Sequence, residues 1–565
     1  MEKNKYGIRI NNIAAGSIYE YQHGLRNKLD MTKAMLVNSL FLDYLLDNNL
    51  IRLWNEKSTR DIICITFDYG TQDANGIQKR IDKIENKERR EQMQRSLIDN
   101  KDKAKKISKD ELRKMFYTDG VEITYRSYTK GGEEIVSKRE TIKYKMLYRT
   151  PGKAKKGTCM FINEDVYDQV HEFLYMGIQL PQKNAPIVEM GAYSSLITSS
   201  IIGRVQIFPE QILVINDVDA FFNTSVLKVG IDKDKHCTIE AQKDYQVKNT
   251  LFDGQALIES SIFPDYADGY ILLRHHLTKM AAFNTNIQLF MKDYFGDDYQ
   301  SATITDMFGR PVRVKDVRLI TTENALKWLK FNVSFNTWAE WVRKNDCQFG
   351  IVKTVHESKL GDVQRMSYQM MNALDIDIMP SVCEKSVDYI NKLKTDISTF
   401  LDYLEKNKTF ANDYEVLLAL AKHNKDFVRS SYFKERRSAI IKSYVLNFKN
   451  GHGIQNADNL TIVGSPYAML LHAVKEEPLE DPTFKQESGC IQCWTERFAN
   501  GEYLAEFRNP FNSRNNLGYM HNIYHEYFGK YFNFGRLVVA VNMVGTDFQC
   551  RNNGLTYWAS VQKCA

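Results

Sequence analysis

Between Gly501 and Gly554 the chain alternates strand signals with residues that stop strands, and this limits what it can fold into. Tyr503 to Phe507 (YLAEF) alternates in the way a half-buried strand does. Arg508-Asn509-Pro510 ends that strand, because proline has no N–H to give to a ladder. Leu537 to Val544 is a short valine-rich apolar run and suits a buried strand. It feeds a polar turn ending in Asn552-Asn553-Gly554, residues that tolerate positive φ.

Length and composition set the scale around this stretch. A chain of 565 residues, 43% apolar and 12% aromatic, can bury a large core or two to four domains, and is not disordered. Its longest apolar runs, such as Leu537–Val541 and Ala468–Leu471, fall far short of the roughly 20 residues a membrane span requires. The polar start MEKNKYGIRINN lacks a signal-peptide core, so the expected location is the cytoplasm. Nine scattered cysteines make no disulfide framework. Net charge is +6, and Lys79 to Lys114 alone, with 14 basic and 8 acidic residues, carries the same excess. That segment reads either as a solvated helical insert with its own ion pairs or as a phosphate-facing arm.

Taken in order, the pattern predicts a helix from Asp30 or Thr32 to about Asp47, and a buried strand over Asp61–Phe67. A helical insert follows from Gln78 to about Met115, then a hairpin turning at Lys130-Gly131-Gly132. Asn163 to Gly177 reads as an Asn-capped helix, Arg204 to Val218 as two strands broken at Pro209, and Val226 to Glu240 as a hairpin. Turn-then-strand patterns recur at Asp253-Gly254 and Asp268-Gly269. A helix is expected near Val363 to Leu374, helices fill most of 381–449, and Thr461 to Val474 returns to strand character.

Several clusters could carry chemistry. Lys153, Lys155 and Lys156 sit on a glycine-bounded basic loop that can touch phosphate but lacks the first glycine and hydroxyl of a P-loop. Lys353 and Lys359 flank the end of an apolar strand, a position suited to meeting a ligand. Asp217-x-Asp219 on a strand would put two carboxylates on one face, with a turn bearing solvated acids as the plainer reading. Cys490-x2-Cys493 has no second pair near it and reads as a hairpin with buried thiols. His521-x3-His525 has metal-ligand spacing for a helix but no evident third ligand.

The order Arg508-x-Pro510, buried strand, Asn553-Gly554 turn resembles the two-barrel RNA polymerases: the cellular enzymes, the silencing RNA-dependent polymerases, and single-chain polymerase-like proteins of phages and mobile elements. The chain looks most like the last group. Phe252-Asp253-Gly254-Gln255-Ala256-Leu257-Ile258 is similar to the segment that opens the first barrel in the silencing enzymes. The resemblance implies an α+β, multidomain fold with double-psi β-barrel-like parts separated by helical segments. The implied division is an N-terminal α/β piece at 1–75, a basic helical insert at 76–120, mixed α/β at 121–240, a first barrel-like domain at 241–380, a helical spacer at 381–450 and an incomplete second barrel-like domain at 451–565.

The resemblance also implies nucleic-acid-templated nucleotidyl transfer, with DNA or RNA and nucleotides as partners. Arg508, Lys279 and Lys292 then face nucleotide or phosphate, with Asn509 and Asn542 in secondary roles. In the intact family an Asp-x-Asp-x-Asp loop after the Asn-Gly turn holds Mg²⁺. Here Leu555 to Ala565 reads LTYWASVQKCA, with no acid after Asp547. The expectation is a catalytically inactive, C-terminally cut form that binds no Mg²⁺. A non-enzymatic nucleic-acid-binding or scaffold protein is the alternative, and a mixed α/β protein with no nucleic-acid role a third.

Overall fold

The computed structural model describes residues 7–54, 57–131, 134–149, 159–179, 187–367, 375–409, 412–507, 517–544 and 559–563. The chain divides into two units. The first is made of residues up to Gln211 with Leu272–Met280 and Ala325–Lys353; the second of Ile212–Ile271, Ala281–Asn324 and the chain from Thr354 onward. The fold is α+β and multidomain, as the resemblance implies.

In the first unit a six-stranded sheet is built from β1 (Ile8–Ala14), β2 (Thr32–Leu36), β3 (Ser58–Thr66), β4 (Val121–Gly131), β5 (Glu134–Arg149) and β6 (Cys159–Asn163), in the order β2-β1-β3-β6-β5-β4. Its apolar face packs Ile13, Ile63, Ile65 and Phe161 against Phe67, Leu112 and Phe116. The expected helix from Asp30 to Asp47 is only half present. Thr32–Leu36 pairs antiparallel with β1, and the helix is Leu40–Asp47, capped by the Ser39 hydroxyl. Pairing with a neighbouring strand overrode a helical apolar spacing that Met35 and Leu36 satisfy equally well. The basic insert is three helices, Ala74–Ile81, Lys87–Asp99 and Lys109–Asp119, not one. Asp73, Asn86 and Ser108 cap them, which local polar residues do at helix starts. Ile77, Ile81, Met93 and Leu97 give the insert a small core. Arg80 reaches the buried Glu20 at 2.6 Å, so part of the insert's positive charge is used internally.

The second unit holds an open sheet and a closed barrel. Four neighbouring strands of the open sheet are β7 (Ile212–Ile215), β8 (Gln255–Glu259), β9 (Thr278–Thr285, through its Ala281–Thr285 half) and β10 (Leu319–Thr322). β8 runs parallel to β9 and antiparallel to β10, and β10 runs parallel to β7. The barrel strands are β11 (Ala457–Gly464), β12 (Ile491–Trp494), β13 (Tyr503–Phe507), β14 (Leu517–Asn522), β15 (Val538–Val541) and β16 (Ala559–Lys563), closed in the order β11-β15-β12-β14-β13-β16.

The barrel repeats the sheet. In the sheet the first strand pairs parallel with the fourth, the second parallel with the third, and the second antiparallel with the fourth. In the barrel β11, β12, β14 and β15 obey the same rule. Two parallel pairs joined antiparallel through their inner strands form one four-strand core, present twice in this unit.

The apolar run at Leu537 is the buried β15, and Tyr503–Phe507 is a strand, as expected. Two expectations fail here. Thr461 to Val474 is a strand end followed by the helix Pro466–Ala473, because Ser465 turns the chain at φ +34° and Pro466 opens the helix. Val363 to Leu374 begins as the strand Gln364–Ser367, paired with His452–Gln455; 368–374 lie outside the described residues. Helices do fill 379–449, over Met379–Thr395, Ile397–Asn407, Tyr414–His423 and Ser431–Lys449. The hairpin expected at Val226–Glu240 is a longer ribbon, Asp219–Ile231 with Cys237–Thr250, turning at Asp232.

Candidate nucleic-acid interface

One side chain joins the two four-strand cores. Gln255 opens β8 and is fully buried. Its Nε2 donates to the Gly464 carbonyl at 3.0 Å, and its Oε1 accepts from the Gly464 N–H at 2.8 Å. Thr461 and Ser465 send their N–H groups to β15, so Gly464, one residue out of step, faces away from it. The Gln255 amide therefore takes the place of a neighbouring strand at that residue.

Asp217 anchors the other end of the Phe252–Gln255 segment. It lies beyond the end of β7, in irregular chain. Its Oδ1 accepts from the N–H groups of Val218 (2.9 Å) and Phe252 (2.8 Å), and its Oδ2 from the Asn324 amide (2.8 Å). Burial pushes its carboxyl up to about 6, against the pull of those donors. Asp219 instead pairs with Lys248 at 2.6 Å. The two aspartates serve separate structural partners and make no metal pair. The strand periodicity that would align them stops at Ile215.

The barrel carries a stacked aromatic ladder. Tyr503 on β13 pairs in register with His521 on β14, and Tyr519 lies two residues back on the same strand face. The Tyr503 ring stacks on His521 at 4.3 Å and on Tyr519 at 5.4 Å, both within 10° of parallel. Tyr503 and Tyr519 are exposed. His521 is thus a strand residue and His525 caps the next helix, which corrects the helical reading of their spacing. Beneath the ladder, Asn522 is fully buried. It holds the Thr495–Ala499 loop with four hydrogen bonds of 2.9 to 3.1 Å. Arg497 in that loop pairs with the buried Asp458 at 2.9 Å.

Glu487, Cys490 and His521 converge at the edge of this ladder. Cys490 is half-buried, its thiol pushed up to about 12 by burial and by the Glu487 carboxylate. Cys493 is fully buried beside Asn522. The two thiols of the Cys-x2-Cys motif therefore sit in different surroundings, and only one of them is buried as expected.

The helical segment expected to be a spacer carries a basic groove. A cavity of about 660 Å³ is lined by Lys394, Lys434, Arg437, Lys442 and Lys449 over Ile441, Val445 and Leu446, with no acidic residue in its lining. Arg437 is committed to the Leu393 carbonyl, at 2.6 Å, and leaves the four lysines on the rim. Lys434, Lys442 and Lys449 recur at intervals near two helical turns, a signal present in the sequence and missed in its reading.

The residues singled out from the sequence scatter. Lys292 is exposed on the helix Ile287–Phe295, 5.6 Å from the Tyr299 ring centre. Lys359 is exposed at a cavity of about 260 Å³ that Arg365 and Tyr444 also line. Both belong to the second unit, whereas Lys279 and Lys353 belong to the first. Lys279 is half-buried in β9; Lys353 is exposed at a strand end, with burial of its surroundings lowering its pKa. Asn542 is buried just past β15, with its Oδ1 accepting from the Val544 N–H. Arg508, Asn509, Lys153, Lys155 and Lys156 lie outside the described residues.

No protein-family model matches the sequence, and no curated protein does. Among solved structures the chain is similar to the RNA-dependent RNA polymerase QDE-1 from Thielavia terrestris, with a TM-score of 0.51 and 11% identity over 99% of this chain. The match covers 54% of that polymerase, so the chain spans about half its length. At this identity the likeness is one of fold.

Proposed function

We propose that this protein is a polymerase-like, nucleic-acid-binding member of the two-barrel superfamily, and that the 565-residue chain does not itself polymerise. The observation that carries the reading is the repeated four-strand core in the second unit. The fold likeness to an RNA-dependent RNA polymerase supports it. The basic groove and the aromatic ladder supply the two contacts that single-stranded nucleic acid takes from proteins: cations along the backbone and rings against bases.

The Mg²⁺ of the family does not fit the residues at hand. Where the chain leaves β15, Asn542 offers an amide already bonded to Val544. Neither cluster of possible ligands among the described residues is a set of carboxylates at that strand end. The proposal therefore assigns this chain binding without nucleotidyl transfer.

The test is binding of single-stranded RNA by fluorescence anisotropy across a salt series, with a nucleotide-incorporation assay beside it. The log–log salt slope for Lys434→Ala/Lys442→Ala/Lys449→Ala should be shallower than wild type by about 0.7 for each phosphate that a lysine no longer neutralises. Nucleotide incorporation by the purified chain refutes the absence of catalysis. Failure to bind RNA or DNA at low salt refutes the nucleic-acid reading.

A further inference from the structure

We propose that Glu487, Cys490 and His521 form a binding site for a divalent zinc-type cation on the rim of the closed barrel. Carboxylate oxygen, thiol sulfur and imidazole nitrogen are the three ligand types zinc takes. One ligand atom from each of these residues lies within 4.8 Å of the other two.

The backbone builds the site without strain at the ligands. Glu487 and Cys490 are antiparallel bridge partners across the tight turn Ser488-Gly489, and partners across such a bridge project to the same side. Gly489 takes the left-handed conformation this turn needs, at φ +83°. The third ligand comes from the neighbouring strand: His521 stands opposite Gln492 in the parallel pairing of β12 and β14. His521 Nδ1 lies 2.9 Å from Glu487 Oε2.

Outer contacts fix the ligands. Gln492 Nε2 donates to Glu487 Oε2 at 3.1 Å, and the Tyr503 ring lies flat against the His521 imidazole. Such partners orient ligands in metal sites. Metal–ligand distances near 2.0 Å separate the oxygen and nitrogen of a tetrahedral site by about 3.3 Å. The present separation is shorter by a few tenths of an ångström, so a small rotation of Glu487 admits the ion. Three protein ligands leave a fourth position for water, and the ligands are half-buried, which gives the ion a way in. Bound there, the cation would clamp the Glu487–Cys490 turn to β14 beside the aromatic ladder.

Tag-free full-length protein, stripped with chelator, is titrated with Zn²⁺ and separately with Co²⁺. The expected result is one ion per chain and a thiolate-to-cobalt charge-transfer band. Cys490→Ser and His521→Ala should each weaken binding at least about tenfold. Cys493→Ser, which alters the buried neighbouring thiol, should not. If the variants misfold, peptide mass spectrometry after alkylation of wild-type protein decides: Zn²⁺ should protect Cys490 and leave Cys237 reactive. Absence of stoichiometric zinc, a cobalt complex with no thiolate band, or equal alkylation of Cys490 with and without zinc each overturns the proposal. The three side chains would then be a hydrogen-bonded cluster only.

Discussion

Replacing Gln255 by leucine removes both bonds to Gly464 and retains an apolar side chain of similar volume. Gly464 N–H and C=O are then left without partners in a region where Gln255 itself is fully buried. An orphaned buried polar group costs about 1–3 kcal/mol, so two cost about 2–6. Leucine recovers part of this through its own burial, and a net loss of about 3 kcal/mol is the working figure. The chain has two units, so a single unfolding midpoint is not the right readout. Hydrogen exchange over Leu460–Leu471 reads the local opening directly, and 3 kcal/mol corresponds to about 150-fold faster exchange of the Gly464 amide. Gln255→Glu sharpens the test. An ionised carboxylate would face the Gly464 carbonyl, whereas a protonated one reproduces the amide's donor and acceptor. Its folded-state pKa is therefore raised, and its stability deficit should shrink as pH falls toward 5. Unchanged exchange in Gln255→Leu, or a Gln255→Glu defect that does not respond to pH, would refute the reasoning.

Arg497→Ala leaves the Asp458 carboxylate, 4% exposed, without its cation, and should destabilise the barrel by about 3–5 kcal/mol. Arg497→Ala/Asp458→Asn should recover part of that loss, read by hydrogen exchange over the barrel strands. Burial pushes the His275 imidazole down to about 3 from 6.5, so the unfolded chain binds more protons between those values. The first unit should lose stability as pH falls from about 6.5 toward 3, by up to about 5 kcal/mol, and His275→Phe should flatten that slope in acid titrations followed by near-UV circular dichroism. Tyr503→Ala opens the aromatic ladder and should weaken single-stranded RNA binding by about 1–3 kcal/mol in the anisotropy assay, with the salt slope unchanged. A changed slope with unchanged affinity at fixed salt would remove the ladder from the interface.

Much of the fold can be read along single segments. Alternation in Tyr503–Phe507 and the apolar run at Leu537 give strands that are present, and Pro209 separates two strands as its missing N–H requires. Ser108 and Glu111 form the capping box that starts a helix in the basic insert. These features depend on neighbours a few residues away, and periodicity reports them. Errors arise where two local readings fit. The segment before Leu40 has helical spacing, yet Thr32–Leu36 becomes a strand because β1 lies beside it. His521 and His525 have helical spacing, yet β13 holds His521 in a strand.

The sequence by itself determined the strands with one local reading, such as Tyr503–Phe507 and the run at Leu537, together with the charge of the insert and the residue types available to a site. Tertiary structure alone decided which strands pair, and in which direction. That decision repeats a four-strand core over segments with no evident internal repeat, because backbone ladders do not depend on side-chain identity. It also brought Gln255 to Gly464 across 209 residues, and His521 to Glu487 across 34. A buried amide or a ligand cluster is defined by atoms a few ångströms apart. Spacing along the chain fixes only which face of its own element a residue occupies, so such sites become visible once the strands are in register.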